Sequence, residues 1–144
     1  MAAIKSYTDL EQSKRLAEIL PLESADMRYG YIAPYDYSDR MYDGGYDEIP
    51  YPKDFLIKNP NFSANEYDAE LPCWSLAALI NLLPSSLKDE TGIEFSLSMD
   101  KEYIEYSNHN FSSLYSTYMH TCGNDNLIDA CYEMILELKK LNLL

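Results

Sequence analysis

The sequence predicts an α+β fold, in which three helices pack on a small antiparallel sheet of about three strands and a long Tyr/Asp-rich loop leaves the core. Three observations predict it: an apolar segment in the middle of the chain, amphipathic helical patterns towards both ends, and alternating strand patterns between them. A chain of 144 residues is long enough for one self-sufficient core. We expect a single domain with its core at residues 6–22 and 71–144 and a loop insertion at residues 23–70.

The apolar segment at residues 71–84 has the sequence LPCWSLAALINLLP. Only Ser75 and Asn81 interrupt its apolar character, so neither face of it is suited to solvent. We therefore predict a short helix that is buried on most sides, with Trp74 as the largest side chain at its start.

An amphipathic helix is predicted towards each end of the chain. Thr8 followed by Glu11 has the form of a capping box, and a helical apolar pattern then runs to Pro21, which ends it. The last helix follows a cluster of cap residues at 123–126. Its apolar face carries Leu127, Cys131, Met134, Leu138 and Leu141.

Between these helices the sequence predicts an antiparallel meander. Apolar and polar residues alternate at residues 93–99, which is the period of a half-buried strand. A tight turn at Asp100 and Lys101 leads into a second alternating run at residues 102–107. A third strand is predicted around residues 114–121.

The insertion at residues 23–70 differs from the rest of the chain in composition. It holds eleven of the 24 acidic residues and only four basic ones, and half of the 14 tyrosines lie between Tyr29 and Tyr51. Its prolines and glycines break any long helix or central strand, whereas its many aromatic residues argue against disorder. The alternation of Met27, Tyr29 and Tyr31 predicts a short edge strand, and the remainder is expected to be an ordered excursion.

Residues 35–47, which we call the Tyr/Asp segment, are the predicted partner-binding site. Tyrosine gives a large contact area at low entropic cost, and aspartates complement a basic partner and speed association. The alternative is that the rings seal this segment onto its own domain. The candidate partner-binding residues are Tyr35, Asp36, Tyr37, Asp39, Tyr42, Asp43, Tyr46 and Asp47.

The net charge of −13 limits the classes of partner. It repels nucleic acid and anionic membrane, so we expect no direct binding to either, and it favours a protein with a basic surface. A homo-oligomer remains open. The odd count of cysteines (Cys73, Cys122 and Cys131) favours a reduced compartment, and no apolar run is long enough for a membrane span. We expect a cytoplasmic protein.

Candidate catalytic and metal-binding residues have simpler structural explanations. Cys73 could be a nucleophile at a helix start, but its apolar surroundings favour packing. The spacing of His109, His120, Cys122 and Cys131 matches no recurrent zinc pattern. The acids of the Tyr/Asp segment together with Glu48 lack the spacing of a calcium loop. We predict no cofactor.

Three stretches carry a resemblance to a known group of proteins: YTDLEQSKRLAEILPLESADM, LPCWSLAALINLLP and NLIDACYEMILELKKLNLL. In these the chain resembles a family of short proteins encoded by phages and mobile elements of gut Bacteroidetes. The family has no known function, so the resemblance supplies no functional residues. It implies an accessory role in the cytosol of a bacterial host.

The sequence thus leads to one preferred functional hypothesis and two alternatives. The first is a small acidic protein-interaction module, acting as an inhibitor of a host defence factor or nucleic-acid-binding protein by imitating nucleic-acid phosphates. The second is an enzyme or small-ligand binder whose pocket near the central helix includes Cys73 and His120, and the sequence leans against it. The third is a self-assembling structural or regulatory component.

Overall fold

The computed structural model describes residues 5–34, 47–54, 58–59, 62–64, 71–101, 103–109, 115–121 and 126–144. Two compact units form: Asp9–Ser75, here the N-terminal unit, and Met1–Thr8 with Leu76–Leu144, here the C-terminal unit. The predicted α+β class is confirmed, with three α-helices and with antiparallel sheets in both units where the sequence indicated one. The assignment of a single domain with an insertion stays a prediction.

The N-terminal unit begins with helix α1, Leu10–Ile19, whose capping box lies one residue later than predicted. The Asp9 carboxylate accepts a hydrogen bond from the Gln12 backbone N–H (2.8 Å), and the Gln12 side chain accepts one from the Asp9 N–H (3.2 Å). The predicted pair of Thr8 and Glu11 was wrong, because Thr8 is fully buried and Glu11 is exposed in the first turn. The helix ends where predicted, just before Pro21.

The sheet of the N-terminal unit is built around one central strand, β1, Met27–Pro34. Strand β2, Asp47–Pro52, pairs antiparallel with one edge of it. The other edge pairs with β3, Phe62–Ala64, at its far end and with β4, Leu71–Cys73, at its near end. The predicted edge strand at residues 27–31 is therefore the central strand, because alternation reports which face is buried but not how many neighbours a strand has.

Residues 71–73 also differ from the prediction, since they form β4 and the helix starts only at Leu76. Proline explains the difference: Pro72 has no N–H to donate and restricts the residue before it to extended backbone. Trp74 follows the strand and is fully buried. Its indole N–H donates to the Ser24 hydroxyl (3.0 Å), and that hydroxyl donates to the Pro21 carbonyl (2.6 Å).

The core of the N-terminal unit lies where α1 packs against β4. Leu16 of α1, Tyr29 of β1 and Cys73 of β4 are buried there with Trp74. The cross-strand partners of Cys73 and Leu71 are Met27 and Tyr29, which places these side chains on one face of the sheet.

The C-terminal unit contains a four-stranded antiparallel meander that confirms the predicted hairpin and third strand. Its strands pair in chain order, and one strand not predicted from the sequence precedes the others. They are β5 (Ser86–Lys88), β6 (Glu94–Met99), β7 (Ile104–His109) and β8 (Tyr115–Thr121).

Two helices accompany this sheet: α2, Leu76–Leu82, and α3, Leu127–Lys140. Helix α3 contacts α2, β7 and β8, and its buried face matches the predicted apolar stripe at Cys131, Met134 and Leu138. The Asn126 side chain caps its start by accepting from the Asp129 N–H (2.9 Å). The Asp129 carboxylate also accepts from the Lys5 ammonium (2.7 Å).

In the part of the chain that the structure describes, no helix has both the length and the apolar character needed to cross a membrane.

The capping geometry predicts that replacing two neighbouring acidic residues by alanine lowers the free energy of unfolding by different amounts. Asp9→Ala removes the acceptor for the Gln12 N–H, so we expect it to lower the free energy of unfolding by about 0.5–2 kcal/mol. Glu11→Ala, at the position that the sequence pattern favoured, should change it by less than about 0.5 kcal/mol. Urea denaturation followed by circular dichroism measures both, and equal costs would contradict the assigned cap.

The final helix offers a matched pair of leucines. Leu138 is fully buried, whereas Leu141 at the C-cap is 47% exposed. We expect Leu138→Ala to cost about 2–5 kcal/mol, because it removes buried methyl groups and leaves a cavity. Leu141→Ala should cost less than about 1 kcal/mol in the same denaturation experiment. Similar losses for the two variants would show that the buried face of α3 has been placed wrongly.

Candidate partner-binding site

The Tyr/Asp segment joins two strands that are paired along their length. Six register pairs link β1 to β2, from Met27 opposite Pro52 to Ile32 opposite Asp47. The end of β1 at Pro34 and the start of β2 at Asp47 therefore lie at the same end of the sheet. Paired antiparallel residues lie about 4.5–5.5 Å apart between Cα atoms, so the sheet holds the two ends of the connection close together.

Seven of the eight predicted partner-binding residues lie outside the described residues, namely those between Tyr35 and Tyr46. The eighth, Asp47, begins β2, and its backbone pairs with Ile32. Glu48, named with these acids as a calcium candidate, follows in β2 opposite Tyr31. The structure thus describes the two strands that bear the segment, and the segment's own role stays a prediction.

Two prolines shape the strand that follows the segment. Pro50 and Pro52 are two residues apart in β2, so both ring nitrogens point to the same edge of that strand. A proline cannot donate to the ladder with β1, so that edge is the outer one, away from β1. The outer edge of β2 therefore lacks two N–H donors, which makes the addition of another strand unfavourable. A partner protein would therefore bind to side chains more readily than to the backbone at the outer edge of β2.

A groove of about 360 Å³ that no sequence pattern predicted lies in the N-terminal unit. It is lined by Leu22, Glu23, Arg28, Lys53 and Pro72. Strand register brings three elements together there: Arg28 on β1 lies opposite Pro72 on β4, and Lys53 follows the end of β2. Arg28 and Lys53 are two of only four basic residues in the acidic third of the chain. Their common location depends on strand pairing, so no local sequence pattern could have found it.

A second groove, of about 350 Å³, lies on the sheet of the C-terminal unit. Its polar residues follow from the alternation of β6, which places Glu94, Ser96 and Ser98 on one face. Two of the lining side chains donate hydrogen bonds within the sheet: the Ser98 hydroxyl to the Glu105 carboxylate (3.3 Å), and the Asn108 amide to the Glu94 carbonyl (2.7 Å). These bonds give the polar face a structural role.

The two cysteines that the structure describes are both buried thiols. Cys73 is the last residue of β4 and is fully buried, as expected for packing, and it lines neither groove. Cys131 lies on the buried face of α3, where burial raises the pKa of its thiol to about 12. Burial, with a smaller contribution from Cys131, also raises the pKa of the Tyr106 hydroxyl, which donates to the Pro84 carbonyl (2.6 Å). Cys131 thus holds its proton at neutral pH.

The two histidines considered as metal ligands or pocket residues belong to strands: His109 is the last residue of β7, and His120 lies in β8. Cys122 lies outside the described residues. Within the described ranges, no group of three or more His, Cys, Asp or Glu side chains is arranged to hold a metal ion. The pocket of the enzyme hypothesis, with Cys73 and His120 as lining, stays a prediction.

Comparisons with protein-family models, with curated proteins and with solved structures found no match. The resemblance to short proteins of phages and mobile elements in gut Bacteroidetes therefore stays a prediction.

The raised thiol pKa predicts an alkaline loss of stability. The unfolded chain releases the Cys131 proton above its ordinary pKa of 9.0, whereas the folded protein keeps it until about pH 12. Raising the pH between these values therefore favours the unfolded chain, and the free energy of unfolding should fall. Cys131→Ala should flatten this decline in urea denaturation between about pH 8 and 10.5, whatever its stability at pH 7. An unchanged slope in the variant would contradict the assignment.

Proposed function

We propose that this protein is a small acidic, non-enzymatic interaction module that docks its Tyr/Asp segment on a partner protein with a basic surface. The observation that carries the proposal is the register of β1 and β2, in which Ile32 lies opposite Asp47 and both ends of the segment are tethered. A connection with tethered ends has fewer conformations to lose on binding than a free tail of equal length.

The chemistry of the segment fits such a role. Residues 35–47 hold four tyrosines and four aspartates against one basic residue, Arg40. Tyrosine is enriched among the residues that dominate binding energy, and a cluster of carboxylates speeds the approach of a basic surface. The net charge of −13 extends that attraction beyond the segment itself.

A basic groove that normally holds nucleic acid is the surface that best complements these residues. Carboxylates spaced along a segment present negative charges to it, as phosphates do, while the tyrosine rings supply contact area that phosphates lack. We therefore propose an inhibitor of a nucleic-acid-binding protein. The resemblance to proteins of phages and mobile elements implies that this target is a host factor, such as a defence protein, in the cytoplasm of a bacterium. Docking on such a partner would block its nucleic acid by occupying the same groove.

A charge-swap experiment tests this proposal. The immobilised full chain should retain proteins from a bacterial lysate that are released by duplex DNA and by raising the salt from 0.1 to 1 M, where the Debye length falls from about 10 Å to about 3 Å. Asn in place of Asp36, Asp39, Asp43 and Asp47 should abolish retention, because it removes four negative charges and keeps the size of the side chains. Retained proteins are identified by mass spectrometry.

The matched control removes four exposed carboxylates elsewhere, by Gln at Glu11, Glu18, Glu133 and Glu137. This variant has the same net charge as the Asn variant and should keep most of the retention. Equal loss in both would show that net charge alone acts and that the segment has no specific role. Retention that DNA and salt leave unchanged would overturn the nucleic-acid mimicry.

A further inference from the structure

The groove in the N-terminal unit points to a second binding activity that does not involve the Tyr/Asp segment. We propose that the groove lined by Leu22, Glu23, Arg28, Lys53 and Pro72 binds a small organic monocarboxylate that carries an apolar group. The five lining residues that the structure describes all lie within the N-terminal unit.

The charges of the lining select an anion. Among the described lining residues, Arg28 and Lys53 are cationic and Glu23 is anionic, in a chain of net charge −13. A guanidinium binds a carboxylate through two parallel N–H bonds, and its five donors let it do so in addition to any partner within the protein. Lys53 adds a second positive charge. Glu23 opposes further negative charge, which favours a monocarboxylate over a phosphate dianion.

The apolar part of the lining selects what the carboxylate is attached to. Leu22 is 58% exposed, and Pro72 is half-buried on β4. An aliphatic or aromatic substituent would cover both of them and gain about 25 cal/mol for each Å² of apolar surface removed from water. The volume of about 360 Å³ lies at the lower end of the range for small-molecule sites, about 300–1,000 Å³.

The backbone that carries the cations is held in place before any ligand arrives. Arg28 lies on the central strand, paired with Tyr51 on one side and Pro72 on the other. The Lys53 N–H donates to the Asp26 carbonyl (3.3 Å), and the Asp26 carboxylate in turn accepts from the Ser75 N–H (2.9 Å). A preformed groove loses less conformational entropy when a ligand binds, because its backbone is already ordered.

An NMR titration of the ¹⁵N-labelled full chain tests this proposal. The probe is 4-methylpentanoate, and 4-methylpentan-1-amine has the same carbon skeleton with the opposite charge. We expect the carboxylate to cause saturable shifts in the amide signals of Leu22, Arg28 and Lys53, and the amine to cause none. Arg28→Gln/Lys53→Gln should weaken binding about tenfold or more, the effect of losing a charged hydrogen bond. Glu23→Gln should strengthen it about twofold, because a repelling charge is removed.

The matched control is Lys14→Gln/Arg15→Gln, which removes one exposed lysine and one exposed arginine of α1 that do not line the groove. Its affinity should stay within twofold of the unaltered chain. Lys53→Gln alone should weaken binding about threefold, and it keeps the test open if the double variant fails to fold. A chain with residues 35–47 replaced by a Gly/Ser linker should still bind, which separates this site from the proposed partner-binding segment.

Three results would overturn the proposal. The amine could shift the same signals as the carboxylate, which would mean that the apolar wall acts alone. Arg28→Gln/Lys53→Gln could bind as tightly as the unaltered chain. The signals of Leu22 and Lys53 could also shift with protein concentration in the absence of any probe, and a second copy of this acidic chain would then be the occupant of the groove.

Discussion

Hydrogen bonding along both edges of β1 is the constraint on which the rest of the N-terminal unit depends. Ile32 lies opposite Asp47 on one side and Ala64 on the other, while Arg28 lies between Tyr51 and Pro72. The first of these arrangements places the two strand ends that bear the Tyr/Asp segment at the same end of the sheet. The second brings residues that are far apart in the chain to one groove. Both candidate sites therefore follow from the pairing of a single strand, and a slip of one residue would move its side chains to the opposite face.

Prolines explain why this sheet was harder to predict than the meander of the C-terminal unit. Four of the seven prolines lie in its strands, including Pro50, Pro52 and Pro72. A proline that is considered only with its neighbours in sequence predicts that a strand ends there. A short strand tolerates them where the missing N–H faces away from its neighbour. Whether that condition holds depends on which strand lies alongside, and the pairing of Arg28 with Pro72 spans most of the unit. By contrast, the strands at residues 94–109 follow directly from alternation and a tight turn.

The two candidate sites likewise differ in whether they are formed by neighbouring residues in the sequence or by strand pairing. The Tyr/Asp segment is contiguous, so its composition was visible in the sequence, and strand pairing adds only how it is tethered. The groove is assembled from Leu22, Arg28, Lys53 and Pro72, none of which is remarkable among its immediate neighbours. One signal was present, because few basic residues occur in this acidic third of the chain, and two of those few line the groove. Their scarcity was visible in the sequence, but their proximity was not.

The two proposed sites favour ligands of opposite charge, and both can exist in one small acidic protein because salt limits the distance over which each charge acts. At physiological ionic strength the Debye length is about 8 Å, so charges close to the groove, such as those of Arg28, Lys53 and Glu23, act on a small ligand there more strongly than distant carboxylates do. A carboxylate in contact with the guanidinium experiences an interaction that water screens less than it screens distant charges. A large basic partner, in contrast, meets many carboxylates at once and responds to their sum. We therefore expect the size of a ligand to determine whether the net charge of −13 or the two cations at the groove govern its binding.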